Sequence, residues 1–169
     1  MWRITLIIVM LLFSLILPGT FFHFLAWGNI KPDLVVLFTI YLALHHKTLP
    51  GALWGLGAGL VADFYFGRHF GMYALTLTCV ALLADWLSQR WYRDNYLLTA
   101  LLVFLVTFVG EGMIAILNIL VGAKWALSDA LSLVFGVSLY NALLVPLSYP
   151  LIHRSFTKGW LKYRPKYER

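Results

Sequence analysis

Three carboxylates stand where a carboxylate is costly. Asp63, Asp85 and Glu111 each interrupt an apolar run. A charge inside lipid is expensive, and it normally has a partner or a task. Two such groups at one depth can share a proton, flank a cation, or form an aspartyl-type dyad. Asp63 and Glu111 both fall in the outer halves of their runs, so depth allows them to meet. Asp85 falls in the opposite half, which argues against a hydrolytic pair with Asp63. Internal pairing of Glu111 with Arg68, Lys124 or His69 is the simpler expectation than a site shared with Asp63. For Asp63 the expectation is an interfacial ion pair with Arg68 or His69. Gln89 and Arg90 follow Asp85 at helical spacing and give it a solvated contact. Asn118, Tyr140 and Asn141 read as interhelical hydrogen-bond groups.

Other chemistry is missing from the residue pattern. The five histidines, His23, His45, His46, His69 and His153, are scattered, and the adjacent pair would diverge by about 100° on a helix. There is no His-Glu-x-x-His, Gly-x-Ser-x-Gly, P-loop or dinucleotide fingerprint. Cys79 is the one cysteine, so neither an intrachain disulfide nor a cysteine metal cluster can form. The pattern points away from an enzyme, and no catalytic residue, metal or cofactor is expected.

A glycine or aspartate recurs at every fourth position from Gly51 through Gly55, Gly59, Asp63 and Gly67 to Gly71. Small residues four apart let another helix approach closely. Gly51 to Asp63 share one strip of a helix about 120° wide, whereas continuing to Gly71 would smear it to about 200°. The helix is therefore expected to end near Phe66-Gly67, leaving Gly67 and Gly71 to the turn and the next helix start. The strip serves either tight packing within the protein, the favoured reading, or docking of a foreign helix. Gly110 and Gly112 beside Glu111 likewise invite a close backbone.

The elements carrying these residues are membrane spans. Apolar residues make up 62% of the 169 and charged ones 12%, with mean hydropathy +0.83, far from the balance of a soluble domain. Six segments approach spanning length: about Ile4–Trp27, Pro32–His45, Leu49–Phe66, Gly71–Leu87, Tyr96–Val121 and Asp129–Ile152. The first resembles a signal peptide but has no small-residue cleavage site and reads as an uncleaved span. Pro32 and Asp33 suit a first helical turn. Asp94-Asn95 and Ser128-Asp129 suit helix caps. Short loops make consecutive spans neighbours. The second segment is short enough to be tilted or partly re-entrant. No second copy of the glycine ladder marks an inverted repeat. Six spans put ten of the 13 basic residues on the side of both termini, which the positive-inside rule makes cytoplasmic. The fold class is thus all-α: one bundle of six transmembrane helices over residues 1–153, N-in and C-in, then a basic cytoplasmic tail over 154–169. That tail, with Arg154, Lys158, Lys162, Arg164, Lys166 and Arg169, is an anchor for anionic headgroups and not a nucleic-acid signature.

Read together, Lys31-Pro32-Asp33-Leu34, the run Gly51 to Asp63, and Gly67-x-x-x-Gly71-x-x-Ala74-Leu75 resemble the rod shape-determining MreD family. Tyr140-Asn141-x-Leu143-x-x-Pro146-x-x-Tyr149-Pro150 resembles that family's last span. The resemblance implies a non-enzymatic scaffold of bacterial cell elongation in the cytoplasmic membrane. It implies association with MreC and, through it, work with MreB, RodA and a class B penicillin-binding protein in peptidoglycan synthesis. It also implies a fold similar to the substrate-binding subunits of energy-coupling-factor transporters. On it, Pro32, Asp33, Gly51, Gly55, Gly59, Asp63, Gly67, Gly71 and Glu111 become partner-binding or structural-motif candidates. The alternative is a small-molecule-binding membrane subunit of a transporter, with a polar pocket opening outward near Asp63 and Glu111.

Overall fold

A computed structural model describes residues 2–20, 30–45, 49–67, 69–91 and 95–157. They form six helices: α1 (Trp2–Thr20), α2 (Leu34–His45), α3 (Leu49–Phe66), α4 (Met72–Trp91), α5 (Tyr96–Leu120) and α6 (Leu127–Thr157). Each helix touches its neighbours in sequence, as short loops require.

The shortest helix is the centre of the protein. Leu34–His45 is apolar on every face, and a helix apolar all round belongs in an interior. Its nine consecutive residues Val35 to Ala43 are buried, and α2 touches all five other helices. Asp33 fixes where it starts. One carboxylate oxygen, Oδ1, accepts the N–H groups of Val35 at 2.9 Å and Val36 at 3.0 Å, so Asp33 caps the helix and does not lie in its first turn.

Around this core the other helices bury one face and leave the other apolar. α1 packs Ile7, Leu11, Ser14 and Leu15 inward, at helical spacing, and among the described residues it touches only α2 and α3. Asn95 caps α5 through the N–H of Leu97 at 3.0 Å. Gly122, with φ 99°, closes the end of α5. α6 runs through Pro146 and Pro150 to Thr157, so the helix passes Ile152, where the sequence reading ended its last span. Tail residues 158–169 lie outside the described residues.

The outward surface carries Phe13, Leu53, Phe64, Leu97 and Leu147, all more than half exposed. So much exposed large apolar surface marks contact with lipid or a partner. Three helical stretches, Met72–Arg90, Tyr96–Leu120 and Leu127–Pro150, are long and apolar enough to cross a membrane. Thr5–Leu17, Leu34–His45 and Gly51–Phe66 are shorter apolar stretches.

Candidate functional site

The glycine strip is a seam between α3 and α4. A Cβ placed on Gly59 would lie 2.3 Å from the Cα of Ala74 and 2.5 Å from the carbonyl oxygen of Tyr73. One on Gly55 would lie 2.5 Å from the carbonyl oxygen of Leu77. These neighbours are backbone, so neither can rotate away. The helices meet this closely because α3 offers hydrogen atoms where other residues offer side chains. Gly51 is buried, whereas Gly57, off the strip, has open space where its side chain would be. The α4 helix therefore covers the strip at Gly55 and Gly59, as the packing reading has it, and leaves a foreign helix no room at those two positions.

Asp63 ends the seam with a cap on another helix. Its Oδ2 accepts N–H groups from Gly71 at 3.0 Å and Ala74 at 3.1 Å. Its Oδ1 accepts that of Tyr73 at 2.9 Å. The last turn of α3 thus satisfies the first N–H groups of α4, and the buried negative charge meets the positive end of the helix dipole. Among the described residues the carboxyl group takes backbone donors and not the ion pair expected with His69. Arg68, one of the expected partners, lies outside the described residues. Gly67 (φ 61°) and Gly71 (φ 95°) make the reversal that brings α4 back within reach of Asp63. A cavity of about 150 Å³ adjoins the cap, lined by Asp63, Phe66, His69, Met72, Tyr73, Ile114 and Asn118.

Glu111 does not pair with Asp63, His69 or Lys124. It is buried on α5, and its carboxyl hydrogen-bonds to that of Asp33 at the start of α2. A carboxylate only accepts, so this bond requires a proton on one of the two groups. Gly110 lets α4 come near, since a Cβ there would lie 2.7 Å from Val80 Cγ2. Asn141 of α6 donates from Nδ2 to the backbone oxygen of Asp33 at 3.0 Å. The residue that caps the central helix is therefore held by α5 and α6 together. A cavity of about 390 Å³ opens beside the pair, lined also by Ser14, Lys31, Pro32, Tyr65 and Leu133. It can hold a proton or a group that donates hydrogen bonds. Among the described residues no cluster of three histidine, cysteine, aspartate or glutamate side chains could hold a metal ion.

The family profile of rod shape-determining protein MreD matches residues 1–156 of this chain. The chain belongs to the MreD family. Membership makes it a protein of rod shape determination, and with three membrane-capable helices it is a membrane protein. Comparison with curated proteins gives no match, and comparison with solved structures gives none.

In this MreD-family chain the sequence candidates thus fall into two groups. Gly51, Gly55, Gly59, Asp63, Gly67 and Gly71 build the α3–α4 hairpin. Pro32, Asp33 and Glu111 stand together at the cavity. Sequence spacing gave no route to the second group, because Asp33 and Glu111 are far apart in the chain; the glycines beside Glu111 were the one local signal. Asn118 bonds within its own helix, from Nδ2 to the oxygen of Ile114 at 2.8 Å, and is not an interhelical group. Asp85 takes the amide of Gln89 at 3.0 Å as the spacing indicated, but the carboxyl group is buried and not solvated as expected.

Proposed function

We propose that this protein is a non-enzymatic scaffold of the cell-elongation machinery, a six-span bundle in the cytoplasmic membrane with both termini inside. Residues 1–153 form the bundle and 154–169 a basic tail against the inner leaflet. Its partner is MreC, and through MreC it acts with MreB, RodA and a class B penicillin-binding protein. It needs no cofactor and binds no nucleic acid. The observation that carries this reading is the family match across residues 1–156. The geometry agrees with it: Asp63 and Asp85 are engaged in bonds that hold helices. Since α4 covers Gly55 and Gly59, MreC takes another face. Co-purification with MreC in mild detergent tests this. Stoichiometric recovery with wild type, and unchanged recovery with Gly57→Ala, are expected; a folded wild type that recovers no MreC would reject the scaffold role.

A second reading, a small-molecule-binding transporter subunit, is favoured by one observation, the cavity at Asp33 and Glu111. It predicts a soluble ligand that raises thermal stability.

A further inference from the structure

α1 and α6 do not touch among the described residues, and α2 forms the floor of the gap between them. A groove of about 190 Å³ runs along that floor. Its walls extend from Met10 to Leu17 on α1 and from Leu34 to Tyr41 on α2. Each stretch is seven steps of about 1.5 Å, so the groove is about 10 Å long. Volume over length gives a cross-section of about 20 Å² and a width of about 5 Å. Met10, Phe13, Leu17, Leu37 and Phe38 make the lining apolar. Its hydroxyls are already engaged. Those of Ser14 and Ser148 donate to the backbone oxygens of Leu11 and Leu144, each at 2.7 Å. Tyr41 then donates to Ser148 Oγ at 2.8 Å.

We propose that this groove holds one acyl chain of a membrane lipid, whichever head group that lipid carries. Size and chemistry decide against the other occupants. A partner helix is about 10–12 Å across, twice the width of the groove. Water needs about 2–4 polar partners, and the hydroxyls here are bonded within the protein. A polar soluble ligand would lose its hydrogen bonds to water and gain none. Non-bonded carbon atoms sit about 3.5–4.0 Å apart, so a single hydrocarbon chain fills the width and a second does not fit. An empty groove leaves its walls without partner atoms on one side, and a chain restores those dispersion contacts. The chain enters from the bilayer between α1 and α6, past Phe13, which is 66% exposed. The site rests on the protein's place in a membrane and not on the scaffold role, so either can fail while the other stands.

The test uses the full chain, delipidated in detergent, and native mass spectrometry reads what it retains. Dioleoyl phosphatidylcholine and oleoyl lysophosphatidylcholine, which offer a chain, should be retained alike, and chain-free glycerophosphocholine should not be retained. Dioleoyl phosphatidylethanolamine and phosphatidylglycerol should be retained to the same extent as the choline lipid. Ser14→Phe sets a ring into the groove and Met10→Trp narrows it from the same helix. Each should lose the bound lipid while melting, without lipid, no lower than wild type. Leu97→Ala, on an exposed position that does not line the groove, should keep it. If Ser14→Phe fails to fold, Met10→Trp carries the test. A wild type that retains no dioleoyl lipid, a preference for one head group, or equal retention of glycerophosphocholine overturns the proposal. Lipid kept by a folded Ser14→Phe or Met10→Trp overturns it too. Equal loss in Leu97→Ala would mean general solvation of the surface and no site. A native complex that holds a foreign protein in place of the lipid, and releases it in Ser14→Phe, would give the groove to that partner instead.

Discussion

Adding one methyl group to Gly59 should open the hairpin. In Gly59→Ala the new carbon would sit 2.3 Å from the Cα of Ala74, where an ordinary contact is about 3.5–4.0 Å. Both atoms belong to helix backbones, so α3 and α4 must part by about 1 Å or more along the seam. Overpacking of this kind costs about 1–3 kcal/mol, and a rigid backbone obstacle places it at the upper end. Alanine returns about 1 kcal/mol through its higher helix propensity. The net loss is then about 2 kcal/mol. Gly57→Ala, two residues away, meets nothing within 4 Å and keeps only the gain. The two variants should therefore differ by about 2–3 kcal/mol in opposite directions about wild type. Unfolding by sodium dodecyl sulfate in mixed micelles, followed by circular dichroism, measures both. Equal stability of the two variants would refute the seam.

Two further variants probe the polar contacts. Asp63→Asn keeps the shape but leaves one oxygen to serve three N–H groups, and its own NH₂ faces donors; the same unfolding assay should show a loss of about 2 kcal/mol. Glu111→Gln can still donate to Asp33, so its stability should stay within about 0.5 kcal/mol of wild type, whereas Glu111→Ala strips Asp33 of its donor and should cost about 1 kcal/mol or more. A Gln variant as unstable as the Ala variant would show that the two carboxyls do not share a proton.

The fold was legible where local rules and lipid agreed. The four-residue spacing of Gly51, Gly55 and Gly59 announced a close helix contact, and its drift around the helix located the break at Gly67. The cap at Asn95 followed from residue type, whereas Asp33, expected within a first turn, caps α2 from outside, and Ser128 and Asp129, expected as caps, lie inside the first turn of α6. The apolar runs announced helices fit to cross a membrane. What stayed hidden was pairing. Asp63 faced basic loop residues in sequence, and nothing in that pattern announced the backbone donors that the turn at Gly67 and Gly71 folds onto it. Glu111 met Asp33 because α2 is the central helix, in contact with every other one. A pattern of hydropathy cannot single out a central helix, because protein walls and acyl chains are equally apolar.

The central claim is that this bundle works in rod shape determination and performs no reaction or uptake of its own. Depletion in a rod-shaped bacterium that carries it, with cell shape followed by microscopy and the Gly57→Ala and Gly59→Ala chains supplied in trans, tests that most directly. Cells should round as the protein is lost, and Gly57→Ala should restore rods more fully than Gly59→Ala. Cells that stay rod-shaped but come to require a nutrient would contradict the account.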